Sequence, residues 1–137
     1  MKTGIYKEVQ IDASHRLLHY KGKCASLHGH RWKVEVWAEG EPDTTTNILI
    51  DYNAIKEIIG KYDHQIILNR EDPMVPCIEK FQQVITTPGD PTSELLAFLI
   101  RQDIYDHCKA QGINATIPKI RVWESPGSFA ELSDEGH

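Results

Sequence analysis

His28-Gly29-His30-Arg31-Trp32-Lys33-Val34-Glu35-Val36-Trp37-Ala38-Glu39 alternates in character along its length. His28, His30, Trp32, Val34 and Val36 fall in one phase, and Arg31, Lys33 and Glu35 in the other. Side chains of a strand point alternately to its two faces, so the stretch reads as a half-buried strand over about 28–39. A second stretch of the same kind precedes it. Over residues 5–15, Ile5, Val9, Ile11 and Ala13 share one face, broken only by Lys7. His15 continues their phase, while Tyr6, Glu8, Gln10, Asp12 and Ser14 share the other face. Residues 16–27 between the two carry Gly22 and several polar groups and read as a loop. The two strands are expected to pair as a hairpin.

Downstream, Glu41-Pro42-Asp43 and the threonines after it read as a turn, and Asn47 to Ile50 as a short extended piece. Asp51 suits a helix N-cap, and Ile55, Ile58, Ile59 and Tyr62 follow at helical spacing, which predicts a helix over 52–62. Residues 69–90 hold three prolines and a Pro-Gly-Asp turn. They read as a long loop with at most a short ordered piece within 78–86. Asp90-Pro91-Thr92-Ser93-Glu94 reads as a helix start with proline near the first helical position. Leu96, Leu99, Ile100 and Ile104 form its stripe, and Gly112 ends it. Strands are expected over 117–124 and near 129–132. The order is ββααββ. It predicts one α+β domain over 1–137, an antiparallel four-stranded sheet with two helices on one face.

Composition narrows the function classes. The 137 residues are 40% apolar and 26% charged, with a net charge of −5, which argues against nucleic acid as the main partner. No apolar run reaches 18 residues, so no membrane-spanning helix is expected. The N-terminal residues lack the apolar core of a secretion signal. Three cysteines, Cys24, Cys77 and Cys108, do not read as a disulfide framework. The expectation is a cytoplasmic protein with free thiols.

The histidines carry the chemistry. His28 and His30 project to one strand face, and the hairpin would bring His15 beside them. Imidazole suits Zn2+, and three protein ligands leave a fourth position open, as in a catalytic site. Cys24, four residues before His28, is either a fourth ligand that closes the site or a base or nucleophile beside the metal. Asp63 precedes His64, and a carboxylate beside an imidazole can orient it and raise its basicity. Glu94 reads as a helix N-terminal charge or a site residue. Glu124 stands in the apolar phase of its strand, which is costly unless the carboxylate is paired. A ligand offering an amino N–H and a ring N–H would satisfy it.

Ala-Ser-His-Arg-Leu (13–17), Cys-Ala-Ser-Leu-His-Gly-His (24–30), Asp-His (63–64), Pro-Thr-Ser-Glu (91–94) and Trp-Glu-Ser (123–125) stand in the order seen in the 6-pyruvoyltetrahydropterin synthase family. The resemblance spans about residues 5–132, and the Cys-x-x-x-His-Gly-His spacing resembles the family's 6-carboxytetrahydropterin synthase branch, which serves queuosine biosynthesis. It implies the tunnelling fold, a homo-oligomeric barrel (commonly a hexamer) and sites between subunits. It implies zinc on His15, His28 and His30, Cys24 as proton acceptor, and Asp63 and His64 as a relay to it. Glu124 would anchor the pterin ring, with Thr92, Ser93 and Glu94 near that pocket. The implied substrate is 7,8-dihydroneopterin triphosphate, with Arg16, Lys21, Lys23 and Lys33 as candidate phosphate contacts. The 69–90 segment looks longer than in compact bacterial members of the branch. That keeps a 6-pyruvoyl product open, and a non-catalytic zinc module is the alternative from another class.

Overall fold

A computed structural model describes residues 1–134, so the last three residues of the domain expected over 1–137 lie outside the described residues. Strands β1 (Thr3–His15) and β2 (His28–Gly40) form the expected antiparallel hairpin, with Val9 opposite Val34, Ile11 opposite Trp32 and Ala13 opposite His30. This register keeps the buried apolar partners on one face, where Val9, Ile11, Trp32, Val34 and Val36 lie. A one-residue slip would turn every one of them to water. The loop between the strands carries a short 3-10 turn at Lys23–Ala25.

Helix α1 (Tyr52–Gly60) starts at Asp51, whose side chain accepts the Asn53 N–H, and ends two residues short of the expected 62. No extended piece forms over 47–50; Ile50 and Leu49 are instead packed into the core. Helix α3 (Ser93–Gln111) is capped by Thr92 and closed by Gly112 in the left-handed region at φ 68. Pro91 therefore lies before the helix rather than at its first position. Ile55 and Ile59 of α1 and Leu96, Ala97, Ile100, Ile104 and Cys108 of α3 bury against the sheet.

The sheet departs from the expected four antiparallel strands. It has six, with β3 over Gln65–Asn69, β4 over Ile85–Thr87, β5 over Ala115–Ser125 and β6 over Ser128–Ser133, in the order β4-β3-β1-β2-β5-β6, and is mixed. Strands β5 and β6 continue the antiparallel part beside β2. At the other edge, β3 and β4 run parallel to β1 and to each other. The crossover joining β3 to β4 holds a third, five-residue helix, α2 (Met74–Ile78). These short strands escape a search for alternation because both faces of β3 are covered. Ile67 joins the main core, while its neighbour Leu68 packs with Val75 and Val84 in a second cluster. Two consecutive buried residues give a strand no period of two. The 69–90 segment is thus partly ordered structure.

The uncovered sheet face holds one buried carboxylate. Glu35 accepts the Tyr6 hydroxyl at 2.5 Å and the Trp123 indole N–H at 2.5 Å. Burial pushes its carboxyl up, but these two donors together with the Lys33 and Arg121 charges hold it below the usual range. Among the described residues, no helix is long and apolar enough to cross a membrane.

Candidate functional site

The hairpin register delivers the histidines. His15 stands opposite His28 and Ala13 opposite His30, all on the face that the helices cover. The three rings meet edge to face, with centroids 4.7 Å apart for His15–His28, 4.7 Å for His28–His30 and 5.3 Å for His15–His30. Trp32 lies one step deeper at 4.9 Å from His15 and is fixed by its own N–H to Ala13 O at 3.1 Å. The fourth member comes from β5. Glu124 lies two residues beyond buried Val122 in the same phase, so its side chain reaches the same face.

Backbone carbonyls set two of the tautomers. His15 donates Nδ1–H to Pro91 O at 2.7 Å, and His28 donates Nδ1–H to Ser26 O at 2.6 Å. Each ring is left with an Nε2 lone pair, the arrangement a metal-ligating histidine needs. Glu124 Oε1 lies 3.3 Å from His15 Nε2 and 3.1 Å from His30 Nε2. Neither approach has hydrogen-bond geometry, so both nitrogens are buried without a hydrogen-bond partner among the described residues. Unsatisfied buried nitrogens are costly, and a cation between them would remove that cost. One ligand atom each from His15, His28, His30 and Glu124 lies within 4.8 Å of all the others. This donor set fits a metal ion. Burial holds the His15 and His30 imidazoles below their ordinary values, and the neighbouring rings add to the effect. That direction favours the neutral form, which is the form able to ligate.

The other expected site residues fall in three places. Cys24 sits half-buried in the 3-10 turn, its carbonyl accepting the Leu17 N–H at 2.9 Å. Its sulfur is not a member of the cluster of four, so the fourth-ligand reading of Cys24 finds no support in this geometry. Thr92 spends its hydroxyl on the Leu95 N–H, and Ser93 donates to Glu94 Oε1 at 2.9 Å. The adjoining Pro91 carbonyl ties this helix start to His15. Asp63 and His64 form a third group with Asp12 at the seam between β1 and β3. Asp63 Oδ1 accepts the Asp12 N–H at 2.8 Å, and His64 donates its own N–H to Asp12 O at 2.6 Å. Asp63 Oδ2 lies 3.0 Å from His64 Nδ1. The Asp12 N–H, and secondarily His64, hold the Asp63 carboxyl below its usual range. Within one chain, this group and Cys24 are not gathered into a common cluster.

Some site architecture had no sequence signal. Arg16 is committed to Asp72 through Nε at 2.6 Å and Nη2 at 2.7 Å, and it also reaches Ala25 O at 3.3 Å. It is a brace for the Cys24 turn, not a free phosphate contact. Asp90 accepts the Leu18 and His19 amides at 3.1 and 2.9 Å. The segment over 69–90 therefore supplies two carboxylates that hold the loop carrying Cys24. Lys21 and Lys23 stay exposed, and Lys33 lies over the Trp123 ring at 4.5 Å.

Comparison with known proteins bears on this site. The family model for 6-pyruvoyl tetrahydropterin synthase matches residues 4–135. A Pyrococcus abyssi protein is 33% identical over 147 residues, spanning 97% of this chain and 91% of its own. A Haemophilus influenzae 6-carboxy-5,6,7,8-tetrahydropterin synthase is 29% identical, spanning 95% and 98%. A Rickettsia felis enzyme of the same name is 28% identical, spanning 92% and 96%. Among solved structures, an uncharacterized Wolinella succinogenes protein matches with a TM-score of 0.78 at 20% identity, covering 98% of this chain and 99% of that one. The Caenorhabditis elegans 6-pyruvoyl tetrahydropterin synthase matches with a TM-score of 0.65 at 20% identity, covering 98% and 97%. These two speak to the fold alone.

Proposed function

The chain belongs to the 6-pyruvoyl tetrahydropterin synthase family, and on that premise we propose that it is a zinc-dependent 6-carboxy-5,6,7,8-tetrahydropterin synthase. It would be a lyase converting 7,8-dihydroneopterin triphosphate and one water to 6-carboxytetrahydropterin, acetaldehyde and triphosphate. The names of the Haemophilus and Rickettsia relatives favour the carboxy product. We place it in the cytoplasm, in queuosine biosynthesis, as a homo-oligomer and by resemblance a hexamer.

One observation carries the reading: two buried imidazole nitrogens without hydrogen bonds face one another across Glu124 Oε1. His15, His28 and His30 would hold zinc there, and the metal would supply Lewis acidity toward side-chain oxygens of the substrate. Glu124 would take the amino and ring N–H donors of the pterin and so orient the ring in the pocket. The start of α3, with Thr92, Ser93 and Glu94, borders that pocket. The Cys24 thiolate accepts the carbon-bound proton. His64, oriented by Asp63, takes part in moving it, for an acid–base contribution of about 10²–10⁴-fold. Because Cys24 and the Asp63–His64 pair are apart within one chain, we assign the completed relay to two subunits.

The test is mass spectrometry of the products formed from 7,8-dihydroneopterin triphosphate. Acetaldehyde with the carboxy product is expected. A 6-pyruvoyl product without acetaldehyde would replace this reading by the runner-up enzyme. Cys24→Ala should keep its zinc and lose turnover. Loss of both zinc and fold would favour a non-catalytic zinc module.

A further inference from the structure

We propose that Glu124 is the fourth protein ligand of the three-histidine centre while the pocket holds no pterin, and that it leaves the metal to take the pterin N–H donors. Substrate binding would then open the coordination position that the reaction uses. The inference rests on the pterin reading above and adds a second role to the same carboxylate.

Geometry carries the first half. Metal bonds of about 2.0–2.1 Å place the corners of a tetrahedron about 3.3–3.4 Å apart. Glu124 Oε1 lies 3.3 Å from His15 Nε2 and 3.1 Å from His30 Nε2, close to two such edges. A carboxylate paired to imidazoles through protons would instead show hydrogen-bond directionality, and both nitrogens lack it. The approaches are those of ligand atoms around a shared centre. Charge agrees: imidazole ligands bring no negative charge, so three of them leave a dication uncompensated, and one carboxylate halves the excess. Cys24, whose thiolate could also ligate zinc, lies outside the cluster.

The second half follows from how differently the four members are held. His15 and His28 are pinned by Pro91 O and Ser26 O. Glu124 instead sits where the β5–β6 pairing shifts register, between Trp123 and Ser125. Such irregularities re-aim a side chain and recur beside functional sites. Its side chain is 31% exposed, against 1% for His15. His30 is 25% exposed, so Glu124 is the more open of the two members that no backbone carbonyl pins, and it has room to turn toward an incoming ligand. A pterin offering two N–H donors can compete for this carboxylate, because a charge-assisted pair of hydrogen bonds replaces the metal bond.

The experiment measures zinc affinity of the full chain by competition with a chromogenic chelator, in wild type, Glu124→Gln, Glu124→Asp and His15→Ala. The same four are examined by visible absorption with Co2+ in place of zinc. Glu124→Gln should weaken zinc binding about tenfold or more and alter the Co2+ spectrum, with Glu124→Asp intermediate. Adding 7,8-dihydroneopterin, which carries no triphosphate, should change the wild-type spectrum and leave that of Glu124→Gln unchanged. Zinc affinity within twofold of wild type in Glu124→Gln, with an unaltered spectrum, would overturn the proposal. If His15→Ala releases zinc in that case, only the role of Glu124 falls. If His15→Ala is silent too, the metal centre falls with it. Should Glu124→Gln not fold, Glu124→Asp decides by the same criterion.

Discussion

The Arg16 guanidinium grips the Asp72 carboxylate by two bonds, at 2.6 and 2.7 Å, and the Asp72 side chain is completely buried. Arg16 follows His15 directly, and Asp72 also accepts the Met74 N–H at the start of α2. One pair thus fastens the end of β1 to the segment that closes the far edge of the sheet. Arg16→Ala leaves that carboxylate buried and unpaired. The expected loss is about 3 kcal/mol, the low end for a broken buried pair because Arg16 itself is 20% exposed. For a chain of this size the melting temperature should fall by roughly 10 °C, and Arg16→Lys should recover only part of it. Calorimetry on the three proteins checks this.

The same pair gives a signed pH dependence. The Arg16 guanidinium holds the Asp72 carboxyl below its usual range in the folded chain. The unfolded chain titrates it near 3.9. The stabilisation is therefore complete above about pH 5 and is lost as pH falls through the folded value. In urea unfolding between pH 5 and pH 2, wild type should lose more stability than an Arg16→Met, Asp72→Leu double variant. Parallel curves would mean that the pair makes no such contribution.

Metal binding should follow a different pH range. A protonated imidazole cannot ligate, so affinity falls as the histidines take up protons. Burial lowers the pKa of His15 and His30, which moves the onset of release below the ordinary histidine value of about 6.5. Zinc content measured after dialysis at stepped pH should stay constant to about pH 6 and drop below it. Content unchanged at pH 4.5 would argue against a histidine centre. At neutral pH, His15→Ala should lose more affinity than the about 10–100-fold typical of an outer-shell change.

The antiparallel part of the fold was legible because it obeys a period of two. β1, β2 and β5 bury one face, and so their sequences carry His15, His28, His30 and Glu124 in phase with the core. β3 was not legible, since Ile67 and Leu68 are buried on opposite faces. Nor were the contacts that complete the site. Pro91 O and Ser26 O are main-chain atoms, about which residue type says nothing. Asp90 looked like a helix start, yet its carboxylate reaches back 72 residues to the Leu18 amide. Local pattern reports which face a side chain takes; it does not report which distant backbone it meets.

His64 is held at φ 59, in the left-handed region, by its N–H bond to Asp12 O and by Asp63 bonding the Asp12 N–H. That conformation costs a residue with a β-carbon about 1–2 kcal/mol, and strain of this kind gathers at functional sites. Its side chain is 78% exposed, so no packing within the chain repays the cost. Replacement should therefore separate stability from activity. His64→Gly removes the strain and should raise stability by roughly 0.5–1 kcal/mol, part of the relief being offset by glycine's freedom in the unfolded chain. His64→Asn tolerates the same backbone and should leave stability near wild type. His64→Val, branched at the β-carbon, should lower it. All three should lose turnover by about 10²–10⁴-fold. Denaturant unfolding paired with product assays reads both quantities. A Gly variant that is less stable than wild type would mean that the His64 side chain, and not only its backbone, holds the seam between β1 and β3.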